Sequence, residues 1–160
     1  MPDSTPSTET TPHIRAFRDD GEAFGWDGVG VHAYKPVGTH FRDITRQVLF
    51  DGDAAPGVEV RYFEIAPGGH STFERHAHVH AVMILRGRGR VLVGDVVTAV
   101  RERDLVRVPP MHWHQFRADD DAPLGFLCLV ACDRDRPQRP SDAEAAELAR
   151  HPAIGPFMRL

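Results

Sequence analysis

The chain has 160 residues, of which 41% are hydrophobic, with 19 Lys and Arg against 23 Asp and Glu for a formal net charge of -4. That length and apolar share suit one soluble domain around a single core. A weakly acidic balance with scattered arginines gives no electrostatic footprint for nucleic acid or an anionic membrane, so neither is expected as a partner.

Residues 1–12 have neither a basic n-region nor an apolar h-region, so they do not read as a secretory signal, and 1–22 are expected to form a disordered N-terminal tail. No run approaches the roughly 18 apolar residues of a membrane helix. The longest, 124–132, is strand-sized, and the expected location is cytoplasmic. From 24 to 50 the chain mixes Trp26, Tyr34, Phe41, Val48 and Leu49 with Gly and polar residues, which suggests short strands or an arm over a core.

The signal sharpens from Val58. Short apolar runs at 58–65, 81–85, 91–93, 96–100, 105–108, 115–117 and 124–132 are separated by turn residues such as Pro67-Gly68-Gly69, Gly87-Arg88-Gly89, Gly94-Asp95 and Pro109-Pro110. Strand-length runs rich in β-branched residues, at this spacing, predict an antiparallel sandwich or barrel over residues 23–136. Cys128 and Cys132 would lie roughly 13 Å apart on a straight strand, beyond disulfide reach, and read as buried thiols. Residues 137–160 change character: Ser141-Asp142-Ala143-Glu144 has the form of a capping box and predicts one short helix to about Arg150, stopped by His151-Pro152.

Ten histidines are unevenly placed, with His76, His78 and His80 alternating and His112 and His114 following Pro109-Pro110. On a strand, residues i and i+2 share a face, so His76 and His78 can converge on one ion, with His114, or else His112, as a further ligand. His80 lies roughly 13 Å from His76 on a straight strand and joins only if the backbone bends near Val79. Glu74 shares the alternating phase and is a weaker ligand candidate. His70 reads as a turn residue, and His13, His32, His40 and His151 carry no motif.

Together these segments resemble the cupin superfamily, and the chain is similar to small single-domain cupins of the second type. The first motif is matched by Pro67-Gly68-Gly69, His76-Ala77-His78 and the run from Ala81 to Gly89, and the second by Gly94-Asp95 and the run from Asp104 to Phe116. The resemblance implies an all-β double-stranded β-helix, a jelly-roll barrel, with the predicted short C-terminal α-helix beside it. It also implies His76, His78 and His114 as metal ligands. The family's usual glutamate position holds His80 here, after a shorter loop, which makes the site similar to four-histidine cupins. Cupin barrels often pair through an N-terminal strand, so the resemblance implies a homodimer with residues 34–50 as an arm.

An all-imidazole site suits one divalent transition metal, Fe, Mn, Cu, Ni or Zn, and disfavours Mg²⁺ and Ca²⁺, which prefer oxygen shells. Open coordination positions inside a barrel suit a small-molecule substrate together with O₂, so the expected activity is that of a dioxygenase-type oxidoreductase. Tyr62, Phe63, Met83, Met111, Trp113, Phe116 and Cys128 are the expected pocket walls, and being mostly large and apolar they favour an apolar or aromatic substrate over a sugar phosphate. Glu74 is the candidate general base if it faces the cavity, the alternative being a solvated strand-edge carboxylate. The alternatives are a non-catalytic cupin that binds a metal or small ligand, and a redox-neutral metal isomerase, lyase or hydrolase.

Overall fold

The computed structural model describes residues 14–19, 21, 24–51 and 57–160. Among the described residues, ten strands and two short helices follow one another: β1 (Phe17–Asp19), β2 (Phe24–Trp26), β3 (Val31–Ala33), β4 (Arg42–Phe50), β5 (Val58–His70), β6 (His80–Val93), β7 (Val96–Arg101), β8 (Leu105–Val108), β9 (His114–Ala118), β10 (Leu124–Ala131), α1 (Asp142–Leu148) and α2 (Ile154–Phe157). The eight-stranded sheet runs β10-β6-β9-β5-β4-β3, with β7 and β8 also paired to β6. Because β10 pairs with β5 as well as β6, the sheet closes into a barrel, and the all-β expectation holds.

Two segments expected to be turns are bends within long strands. β5 runs on through Pro67-Gly68-Gly69 to His70, and β6 runs through Gly87-Arg88-Gly89 to Val93. Gly87 has φ 69°, and a Cβ on Gly87 or Gly89 would collide with the carbonyls of Pro123 and Arg117. Glycine there lets β6 bend tightly against its neighbours while keeping its pairing with β10 and β9.

The barrel interior is packed by Ile44, Ile65, Val82, Ile84, Val91, Val108 and Leu124, with Phe63, Phe116 and Phe126 above them. A second cluster of Phe73, Leu92, Ile154 and Phe157 lies between the barrel and the C-terminal segment. The capping box at Ser141 and Glu144 forms as expected. One helix was expected, but a second follows His151-Pro152: α2, which buries Ile154 and Phe157. The N-terminal expectation also needs correction, because Phe17–Asp19, inside the segment read as tail, pairs with Phe24–Trp26. Residues 1–13 of that expected tail lie outside the described residues. No described helix is long and apolar enough to cross a membrane.

Candidate metal centre

His76 and His78 do not sit on a straight strand. They occupy the segment between an isolated bridge at Glu74 and the start of β6 at His80, and the chain bends at Ala77 and His78. The bend answers the reach problem, one to two residues before the Val79 position where it was expected. It is held from the far end of the chain: Asp135 accepts from the backbone N–H of Ala77 at 2.8 Å and of His78 at 3.0 Å. Arg75 and Gln138 exchange backbone hydrogen bonds beside it, and Arg75 Nη2 reaches Glu144 Oε1 on α1 at 3.0 Å.

The imidazoles of His76, His78 and His80 gather so that one ring nitrogen from each lies within 4.8 Å of the others. His114 stands against this trio, its ring centroid 4.7 Å from that of His76 and 5.7 Å from that of His80. Tautomers follow from the outward contacts. Nδ1–H of His76 donates to the His78 carbonyl at 2.8 Å, and Nδ1–H of His114 to the His112 carbonyl at 3.0 Å. His78 donates through Nδ1 to Asp135 Oδ1 at 2.6 Å. His76, His78 and His114 therefore each keep an Nε2 lone pair for the interior.

His76 Nε2 is buried without a hydrogen-bond partner, and the Nε2 atoms of His78 and His80 lie 3.0 Å apart, within hydrogen-bond distance of each other. Burial, reinforced by the neighbouring histidines, pushes His76 and His114 down to about 4 and His80 lower still, so these rings are neutral at neutral pH. Asp135 is held well below the usual carboxylate range by the Ala77 N–H and by His78. Convergent, neutral, correctly tautomerised imidazoles with an orphaned nitrogen fit a transition metal. His112 does not join them: it is exposed and its Nδ1 turns to the Pro110 carbonyl.

A cavity of about 210 Å³ opens onto His78, His80 and His114. Of the expected walls, Phe63, Phe116 and Cys128 line it. Tyr62 does not, because it alternates with Phe63 and faces outward, stacking on Phe24 and donating to Glu64 Oε2 at 2.7 Å. Met83 and Met111 are 39% and 45% exposed, away from the cavity. Trp113 stacks on Phe73 in the second cluster, under the guanidinium of Arg75. Glu74 does line the cavity, but Lys35 Nζ grips its Oε2 at 2.8 Å and Thr72 Oγ1 at 2.9 Å.

The wall is more polar than size alone suggested. Lys35, Arg46, Arg61 and Arg134 all line it, with Tyr34 and Phe126. Arg61 was readable, since the alternation that turns Phe63 and Ile65 inward turns Arg61 inward as well. Asp135, Lys35 and Arg134 lie on loops, where no period points to a face. Cys128 sits across from Arg61 in the β5–β10 register, and burial pushes its thiol up to about 11 against the pull of that guanidinium. Cys132 is exposed and unpaired with it.

A family model described as a Cupin domain matches residues 61–130. The chain is 52% identical over 145 residues to a Rhodospirillum rubrum protein named 1-methylthio-D-xylulose 5-phosphate methylsulfurylase, covering 90% of this chain and 92% of that protein. Among solved structures it is similar to a cupin 2 conserved barrel domain protein from Rhodopseudomonas palustris, with a TM-score of 0.83 at 50% identity, covering 92% of this chain and 99% of that one. A cupin-2 domain protein from Rhodospirillum rubrum gives a TM-score of 0.79 at 51% identity, covering 88% of this chain and 95% of that one.

Proposed function

This chain belongs to the cupin family, and from that premise we propose that it is a metal-dependent enzyme that removes the methylthio group from a phosphorylated 2-ketose. The substrate class is carried over from the name of the Rhodospirillum rubrum relative. The observation that carries the chemistry is that Cys128, the only cysteine on the cavity wall, shares that cavity with His78, His80 and His114.

His76, His78, His80 and His114 would hold one divalent transition metal. Bound there, the metal supplies a Lewis acid that polarises a ketone oxygen. The protein's own part is sulfur chemistry. Cys128 Sγ attacks the sulfur of the methylthio group on C1, the C1–S bond breaks, and its electron pair passes to C1, which the adjacent C2 ketone stabilises as an enolate. The proton lost by the thiol is matched by the proton gained at C1. Carbon is reduced, and Cys128 is oxidised to a mixed methyl disulfide. A second, external thiol resolves that disulfide and restores Cys128. Burial keeps the resting thiol protonated, so its proton leaves as Sγ attacks.

This reading replaces the apolar or aromatic substrate by a small anionic one, in keeping with the lysine and three arginines on the wall. The dioxygenase reading ranks second, since it draws on the open metal site and leaves Cys128 without a role. A homodimer remains part of the proposal, with the β3 edge, where Val31 is 62% exposed, as the strand available for pairing.

The test is incubation of metal-loaded protein with 1-methylthio-D-xylulose 5-phosphate and a thiol under argon, followed by NMR. A new C1 methyl ketone phosphate is expected. Consumption that requires O₂ would instead favour the oxygenase, and no consumption with or without O₂ would refute both.

A further inference from the structure

The inward-facing rows of the barrel change character across three adjacent strands. On β5 the residues that share a face with Ile65 are Phe63 and then Arg61. The register sets Phe63 opposite Arg46 on β4, and Arg61 opposite Cys128 on β10. Arg134, which follows β10, reaches the same cavity as Arg46 and Arg61. A guanidinium turned into a barrel gives up hydration and needs opposite charge and hydrogen-bond acceptors in return.

Those partners are in short supply. Glu59 Oε2 accepts from Arg134 Nη1 at 3.1 Å, and Glu59 Oε1 lies 3.4 Å from Arg61 Nε. Arg46 makes no ion pair among the described residues, and the Nε atoms of both Arg46 and Arg61 are buried without a hydrogen-bond partner. Arg61 is only 9% exposed. Lys35 does not add to the surplus, because it is matched by Glu74. Three guanidinium groups therefore share one carboxylate, and the excess equals the charge of a phosphate monoester dianion, whose oxygens suit the guanidinium fork.

We propose that Arg46, Arg61 and Arg134 form the subsite that binds the substrate's phosphate. It thereby selects phosphorylated ketoses over neutral ones. The assignment rests on the phosphorylated-ketose reading for its ligand, but not on the methylthio chemistry.

The experiment is calorimetric titration of metal-loaded protein with D-xylulose 5-phosphate and with D-xylulose, in wild type and in the Arg46→Gln and Arg134→Gln variants, with circular dichroism to verify folding. The ester should bind wild type at least about tenfold more tightly than the free sugar, and inorganic phosphate should compete with it. Each variant should lose about tenfold or more in affinity for the ester, as expected for a charge-assisted bond, with the free sugar unaffected. Equal affinity for ester and free sugar in wild type would overturn the proposal, as would folded variants that both keep the wild-type preference. Failure of the subsite is separable from failure of the proposed function. A protein that prefers the ester through these arginines yet leaves the methylthio substrate intact keeps the subsite and loses the activity. One that cleaves the methylthio group regardless of charge at the other end does the reverse.

Discussion

The two faces of β9 make opposite use of burial. His114 and Phe116 look into the cavity, whereas Gln115 looks out toward the C-terminal segment, and all three are buried. On the outer face the polar side chain is fully used: Gln115 Nε2 donates to the carbonyls of Ser71 at 2.8 Å and Arg159 at 2.9 Å, and its Oε1 accepts from Arg159 N–H at 3.0 Å. On the inner side the polar groups are oriented but unfinished, with His76 Nε2, Arg46 Nε and Arg61 Nε lacking partners. Gln47 Oε1, outside the barrel, also lacks a partner, but three unfinished groups on the inner side mark side chains held ready for something other than the fold.

Changes on the inner side should therefore cost function and spare the fold. The largest expected effect is that of His78→Ala, which should reduce bound metal from about one per chain to near none while leaving the far-ultraviolet circular dichroism unchanged, because the site closes a core that is already packed. Full metal content in that variant, by elemental analysis of untagged protein, would break the contrast. Asp135→Asn keeps every ligand but weakens the hydrogen bond that orients His78. It should lower metal affinity by about 10- to 100-fold in a chelator competition.

The outer face should behave in the opposite way. Gln115→Leu strips partners from two carbonyls and one N–H, and should lower stability by about 2–4 kcal/mol in urea unfolding with metal stoichiometry unchanged. A subtler contrast lies in pH. His76 and His114 are pushed from 6.5 down to about 4 in the folded chain, chiefly by burial, so between those values the unfolded chain binds more protons. The metal-free protein should lose stability as pH falls from about 6.5 towards about 4, and regain it on the return, as read from thermal melts. A flat profile across that window would mean that the rings are more exposed to water than their packing indicates.

Much of the barrel was legible in the sequence because alternation and β-branched residues report strands directly. The two long strands were not, because Pro67-Gly68-Gly69 and Gly87-Arg88-Gly89 have the composition of turns and serve as bends. The histidine cluster was legible from density and spacing alone, but its geometry was not. The bend at Ala77 and His78 is imposed by Asp135, which lies 57 positions from His78 in the chain. The pocket was read from size and hydrophobicity, which selected Tyr62, Met83, Met111 and Trp113. These pack elsewhere or face solvent, while the arginines at inward positions entered only as part of a scattered charge balance.

Everything proposed for the chemistry turns on Cys128 working as a sulfur nucleophile beside a histidine-held metal. The most direct test is intact-protein and peptide mass spectrometry after brief incubation of metal-loaded protein with 1-methylthio-D-xylulose 5-phosphate, without external thiol. One methylthio adduct is expected on the Cys128 peptide, removed by added thiol, and none in Cys128→Ser despite full metal content. Sustained turnover by Cys128→Ser, or turnover by wild type with Cys128 never modified, would contradict it.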